Sequence, residues 1–160
     1  KRSSRLLIGM AAFIFIGVAV YGVLLFLTSR RTPAHPDTYY AGENGVAVYY
    51  ESAVWPVCHM TQDPTLGQVL ELASSDDPED DQYQVVLFQR GDSYGFISPR
   101  DITIQVEGAQ VEAVRCDIQA YYAVLATITY DSGDVVYVSA LTRLASISDV
   151  LNLVESVTLA

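Results

Sequence analysis

The sequence predicts an α+β fold, a small antiparallel sheet with two amphipathic helices, set behind one N-terminal transmembrane helix. Three observations predict it. Residues 6–27 form a run of 22 positions without a charge, an amide or a proline. Downstream, stretches rich in Val, Ile and Tyr recur between Gly- and Asp-containing turns, several alternating apolar with polar residues. In two places, near Asp63 and near Ser148, apolar residues instead recur at helical spacing.

The length of 160 residues fits one domain plus an appendage and excludes separate cofactor and substrate lobes. Residues 1–31 carry five of the nine basic side chains and no acid, whereas residues 32–160 carry four Arg and all nineteen acids, a balance of −15. Such a surface repels phosphate backbones, so nucleic acid is excluded as a partner of the larger part.

At ~1.5 Å per residue, a helix over residues 6–27 would measure ~33 Å, against a hydrocarbon core of ~30 Å. A secretory leader has an apolar core of only ~7–15 residues, and no small-residue cleavage signal precedes Thr28. Lys1, Arg2 and Arg5 precede the run and Arg30 and Arg31 follow it. This bias, with the Lys-free acidic C-terminal part and the even number of cysteines, predicts a cytoplasmic N-terminus (residues 1–5) and an exoplasmic domain, periplasmic or extracellular. Ala12, Ala19 and Gly22 fall on about a third of a helical wheel, where small side chains let a second helix approach. Tyr21 lies deep in the run, where its hydroxyl needs a partner. These four residues are the expected helix-packing positions, toward integral membrane subunits in the lipid bilayer.

Residues 28–38, with two prolines, read as an extended stalk, and the acidic domain is expected over residues 39–160. Its elements follow in order. Gly45 to Glu51 is a strand. Asp63 as N-cap, Pro64 at the first helical position, and Leu66, Val69, Leu70 and Ala73 at helical spacing predict the first helix. Residues 74–82 hold five acids and no apolar side chain. They lack the alternating acids and central Gly of a calcium loop, and so read as solvated.

Tyr83 to Arg90 is apolar on both faces, as a central strand requires. After a turn through Gly91 and Gly95, Asp101 to Glu107 alternates, with Ile102, Ile104 and Val106 inward. Strands are expected from Gln110 to Asp117, Ala120 to Tyr130 and Val135 to Arg143, the last two joined by an Asp131-Ser132-Gly133-Asp134 hairpin. Ser148 as N-cap, with Ile147, Val150, Leu151, Val154 and Val157 on one stripe, predicts the second helix. No crossover helices separate consecutive strands, which excludes a doubly wound sheet. A helix ahead of a curled antiparallel sheet is similar to cystatin-like and nuclear-transport-factor-like domains at the level of fold alone, and that likeness implies no function.

The chemistry-bearing residues are few. Cys58 and Cys116 are the only cysteines, and in an exoplasmic domain they are expected to form a disulfide that stabilises by roughly 4 kcal/mol. His35 and His59 lack companions at metal-ligand spacing, and no nucleophile elbow, phosphate loop or dinucleotide fingerprint is present. No catalytic residue, cofactor or metal is therefore expected. Arg90-Gly91-Asp92 spells an integrin-binding tripeptide, but three residues in a turn match by chance.

Tyrosine is the compositional excess, with eleven copies that include the neighbours Tyr39 and Tyr40, Tyr49 and Tyr50, and Tyr121 and Tyr122. On a strand each such couple puts one ring on each face, and exposed Tyr is what protein interfaces use. High β propensity accounts for the excess equally well. The sequence thus points to a non-catalytic accessory subunit of a membrane protein complex, with these six Tyr as interface candidates. A free-standing anchored binding domain for a basic soluble protein or a small ligand is the alternative.

Overall fold

β-branched and aromatic runs broken every few residues by Gly or Asp leave the chain to fold as successive hairpins, and the computed structural model shows this over its described residues, 34–91, 102–118, 121–143 and 146–160. β1 (Thr38–Ala41) and β2 (Val46–Tyr50) pair around a turn in which Gly45 takes a left-handed φ of 79°. A short last strand, β9 (Thr158–Leu159), adds to the other side of β2. The second sheet has six antiparallel strands: β3 (Val57–Asp63), β4 (Gly67–Ala73), β5 (Val85–Gly91), β6 (Ala109–Ile118), β7 (Tyr121–Tyr130) and β8 (Val135–Thr142). Their spatial order is β3-β4-β5-β8-β7-β6. The one helix among the described residues, α1 (Ile147–Glu155), follows β8.

Register decides which residues form the core. Leu72, Val86, Ala140 and Val124 lie in one row across the six-stranded sheet, and Leu70, Phe88, Val138 and Ala126 in the next on the same face. Against them pack Val46 and Val48 of β2, Trp55, Ile104, Val106 and the α1 residues Val150, Leu153 and Val154. The domain is thus two layers, a six-stranded sheet covered on one face by a smaller sheet and a helix. Thr142 Oγ donates to Gln84 Oε1 at 3.0 Å, satisfying two polar groups buried in this domain.

The α+β expectation with two amphipathic helices is corrected to a mostly β domain with a single short helix. The segment expected as the first helix is the β3–β4 hairpin. Asp63 does cap, but its Oδ1 accepts from the N–H groups of Thr65 and Leu66, each at 2.7 Å, to close a turn. Gly67 then takes a φ of 80° and the chain reverses into β4. Asp-Pro starts a turn as readily as a helix. The spacing of Leu66, Val69, Leu70 and Ala73 also fits a strand buried on both faces, as Val69, Leu70, Leu72 and Ala73 are. Without that helix, the likeness to helix-then-sheet domains lapses.

Three further expectations are corrected. Ser146, not Ser148, precedes α1, and no side-chain bond caps it. Residues 102–107 alternate in burial as expected, with Ile104 and Val106 in the core, but join no strand ladder. The disulfide is absent: Cys58 and Cys116 are both free. Cys58 is on β3 and Cys116 on β6, the two edges of the six-stranded sheet. Five strand spacings of ~4.8 Å put about 24 Å between them, against ~7 Å for a bridge. They also face opposite sides, because Cys58 pairs across from core-facing Leu72, whereas the row from Cys116 runs through Ala123, Leu141, Val85 and Ala73 to Val57.

Among the described residues no helix is long and apolar enough to cross a membrane. The span expected over residues 6–27, with Ala12, Ala19, Tyr21 and Gly22, lies outside them.

Candidate functional site

The β1–β2 register places Tyr39 directly across from Tyr49, and Tyr40 across from Val48. Tyr40 and Tyr50 therefore turn inward and pack against the core. Tyr39 and Tyr49 turn outward, 50% and 49% exposed, the only large apolar side chains so exposed among the described residues. Their ring centroids are 4.7 Å apart at a tilt of 44°, within the range of favourable aromatic pairs. The strands hold both backbones, so a partner meeting these rings finds them already placed.

Tyr121 and Tyr122 are not brought to this patch. They lie on β7 in the other sheet, half-buried, each beneath a guanidinium. Arg143 Cζ is 5.0 Å from the Tyr121 ring centroid, and Arg115 Cζ 5.0 Å from that of Tyr122. Arg143 also donates to the Tyr121 hydroxyl at 3.2 Å. Arg90 of the Arg-Gly-Asp tripeptide is held by Asp134, while Asp92 lies outside the described residues.

Tyr49 also borders a small, open cleft between the turn after β2 and the face of α1. Its apolar wall includes Ala34 and Pro36 ahead of β1 with Tyr50, Val54, Trp55 and Leu153, and its polar groups include Glu51, Asp149, Asn152 and Ser156. The turn is built locally. The Glu51 carbonyl accepts from the N–H groups of Val54 and Trp55 at 3.0 and 2.9 Å. The Asp37 carboxylate accepts from the N–H and hydroxyl of Ser52 at 2.8 and 2.9 Å, and these bonds, with one from Thr38, hold its pKa below the ordinary carboxylate value. On the helix side the Ser156 hydroxyl accepts from Tyr49 N–H at 3.2 Å and donates to the Leu153 carbonyl at 2.7 Å.

Two carboxylates converge here. Glu51 accepts from the His35 N–H at 2.6 Å. Asp149, in the first turn of α1, is half-buried, and burial, with the nearby charge of Glu51 second, raises its pKa. A helix N-terminus favours a carboxylate, so here desolvation outweighs it. Neither acid has an ion pair among the described residues, where cations are few. Behind the cleft, burial also pushes the Tyr50 hydroxyl up to about 12, and raises the Cys58 thiol despite an opposing hydrogen bond from Tyr50.

The two carboxylates and the aromatic wall give the cleft the chemistry to receive positive charge. Among the described residues no His, Cys or Lys lines the cleft, and the hydroxyl of its Ser156 donates to the Leu153 carbonyl. Among the described residues no three His, Cys, Asp or Glu side chains converge as metal ligands do. Glu51, Trp55 and Asp149 were not legible as site residues, because no motif links a turn acid to a helix acid almost a hundred positions later. Compared with known proteins, the chain matches no family model and no curated sequence.

Proposed function

We propose that the chain is a non-catalytic accessory subunit whose β domain docks, through Tyr39, Tyr49 and the acidic groups beside them, onto a basic protein surface of a membrane-associated complex. The exposed cross-strand pair of rings, 4.7 Å apart on a rigid hairpin, carries this reading. Leaving two large rings half in water gains the isolated domain little, whereas Tyr placed on a rigid surface is a common anchor of interfaces. The −15 charge of residues 32–160 supports a basic partner, since complementary potentials steer encounter and reject anionic competitors. The uncharged run 6–27 supports a bilayer setting with the acidic part on the exoplasmic side, on sequence grounds alone. In mild detergent the full chain should migrate in fixed stoichiometry with larger membrane proteins. Migration alone, at the size of one chain and its detergent, contradicts the subunit reading and favours a free-standing binding domain.

A further inference from the structure

We infer that the cleft between the turn after β2 and α1 seats one guanidinium or ammonium group, supplied by a basic side chain of the docking partner, with Asp149 and Glu51 as its counter-charges. The inference rests on the docking reading for the source of that group, but the site itself is argued from the cleft. Two acids share one concavity and neither is matched by a cation among the described residues. Like charges brought together and partly dried repel, and a cation between them relieves both penalties. The rest of the wall suits the stem of the same side chain: Val54 and Leu153 for methylenes, and the aromatic residues Tyr49 and Tyr50 for a flat guanidinium. The cleft is small and open to water, bounded by one turn and one helix face, so it suits the end of one side chain and not a folded segment. An anion is excluded by the two carboxylates.

The arrangement costs the free domain stability, and the sign of that cost is testable. Asp149 has a folded pKa raised above its ordinary value of 3.8, so the folded state holds the proton more tightly than the unfolded state. Below 3.8 both states are protonated and nothing is lost. As pH rises through the folded pKa, the unfolded state is favoured, and the full cost is present at neutral pH. The ionisable groups bordering Asp149 are Glu51, Tyr49 and Tyr50, with Asp37 and His35 tied to the turn by their bonds to Ser52 and Glu51. Asp149→Asn should therefore leave the fold intact and raise its thermal midpoint at pH 7, the difference vanishing in acid.

Trp55 is the single tryptophan of the chain and lines the cleft, so its fluorescence reports occupancy. The full chain in mild detergent is titrated with n-butylguanidinium, n-butylammonium and neutral n-butanol. The expected result is a saturable change in emission with the two cations at roughly millimolar concentration, and none with the alcohol. Asp149→Asn should weaken cation binding at least tenfold, and Asp76→Asn, in the acidic loop, should not. Equal response to the alcohol, or undiminished cation binding by Asp149→Asn, overturns the site. If Trp55 responds as expected but the chain migrates alone in detergent, the cation site stands and its source in a partner protein is overturned. Co-migration with a partner and no response to the cations overturns the site and leaves the docking reading in place.

Discussion

Phe88→Ala should cost the domain about 3–5 kcal/mol, among the largest effects expected of a single truncation. Phe88 is fully buried, the largest such side chain among the described residues, and sits on β5 in the middle of the six-stranded sheet between Leu70 of β4 and Val138 of β8. Removing the ring opens a void that strands on both sides prevent from closing, because their ladders fix the spacing. Its neighbour Leu87 points to the opposite face and is only half-buried, so Leu87→Ala should cost distinctly less. Urea unfolding of the two variants measures the difference. Equal losses would mean that the face assignment of β5, and with it the register from β4 to β8, is wrong. Against a typical stability of roughly 5–15 kcal/mol, a loss of this size can unfold the domain at body temperature.

How far such a face could be read from the sequence varied along the chain. The strands expected over residues 120–130 and 135–143, flanking an Asp-Ser-Gly-Asp turn, are observed as β7 (Tyr121–Tyr130) and β8 (Val135–Thr142), since Gly133 accepts the φ of 90° the turn requires. Inward-facing Ile104 and Val106 were equally legible, because burial alternation needs only an extended chain and not a partner strand. The β3–β4 hairpin was not, because Asp63-Pro64 has the same chemistry at a turn as at a helix start. The supposed disulfide failed for a different reason. The sequence places Cys116 on a strand but shows neither the strand β3 that carries Cys58 nor the order of strands in the sheet, and that order places the two on opposite edges. In the site, two adjacent Tyr on a strand must face opposite ways, which any strand reading provides. That Tyr39 meets Tyr49, and that Asp149 comes to Glu51, depends on hairpin register and on packing of α1 against β2, neither of which is local.

Replacing both Tyr39 and Tyr49 with Ala should weaken association with the partner by about 2–4 kcal/mol, roughly 30- to 1000-fold in affinity. Both rings are exposed, so the fold loses only their mutual contact, about 0.5–1.5 kcal/mol. Tyr40→Ala reverses the pattern. That ring packs against the core, and its loss should lower stability with little specific effect on affinity once the folded fraction is taken into account. Affinity of detergent-purified variants for the recovered partner, set beside their thermal midpoints, separates the two. A double variant that associates as well as the parent removes the exposed pair from the interface.

The docking surface itself is tested most directly by chemical modification of tyrosine in place. Exposed phenol rings are nitrated or iodinated readily, and rings covered by a partner are protected. In the purified chain Tyr39 and Tyr49 should label fastest, with Tyr40 and Tyr50 slower beneath the small sheet. In the native membranes, before any solubilisation, labelling of Tyr39 and Tyr49 should fall severalfold while alkylation of exposed Cys116, on the far sheet edge, stays as it is in the purified chain. Equal labelling of Tyr39 and Tyr49 in membranes and in the purified chain would show that the aromatic patch faces water in place, and would contradict the account.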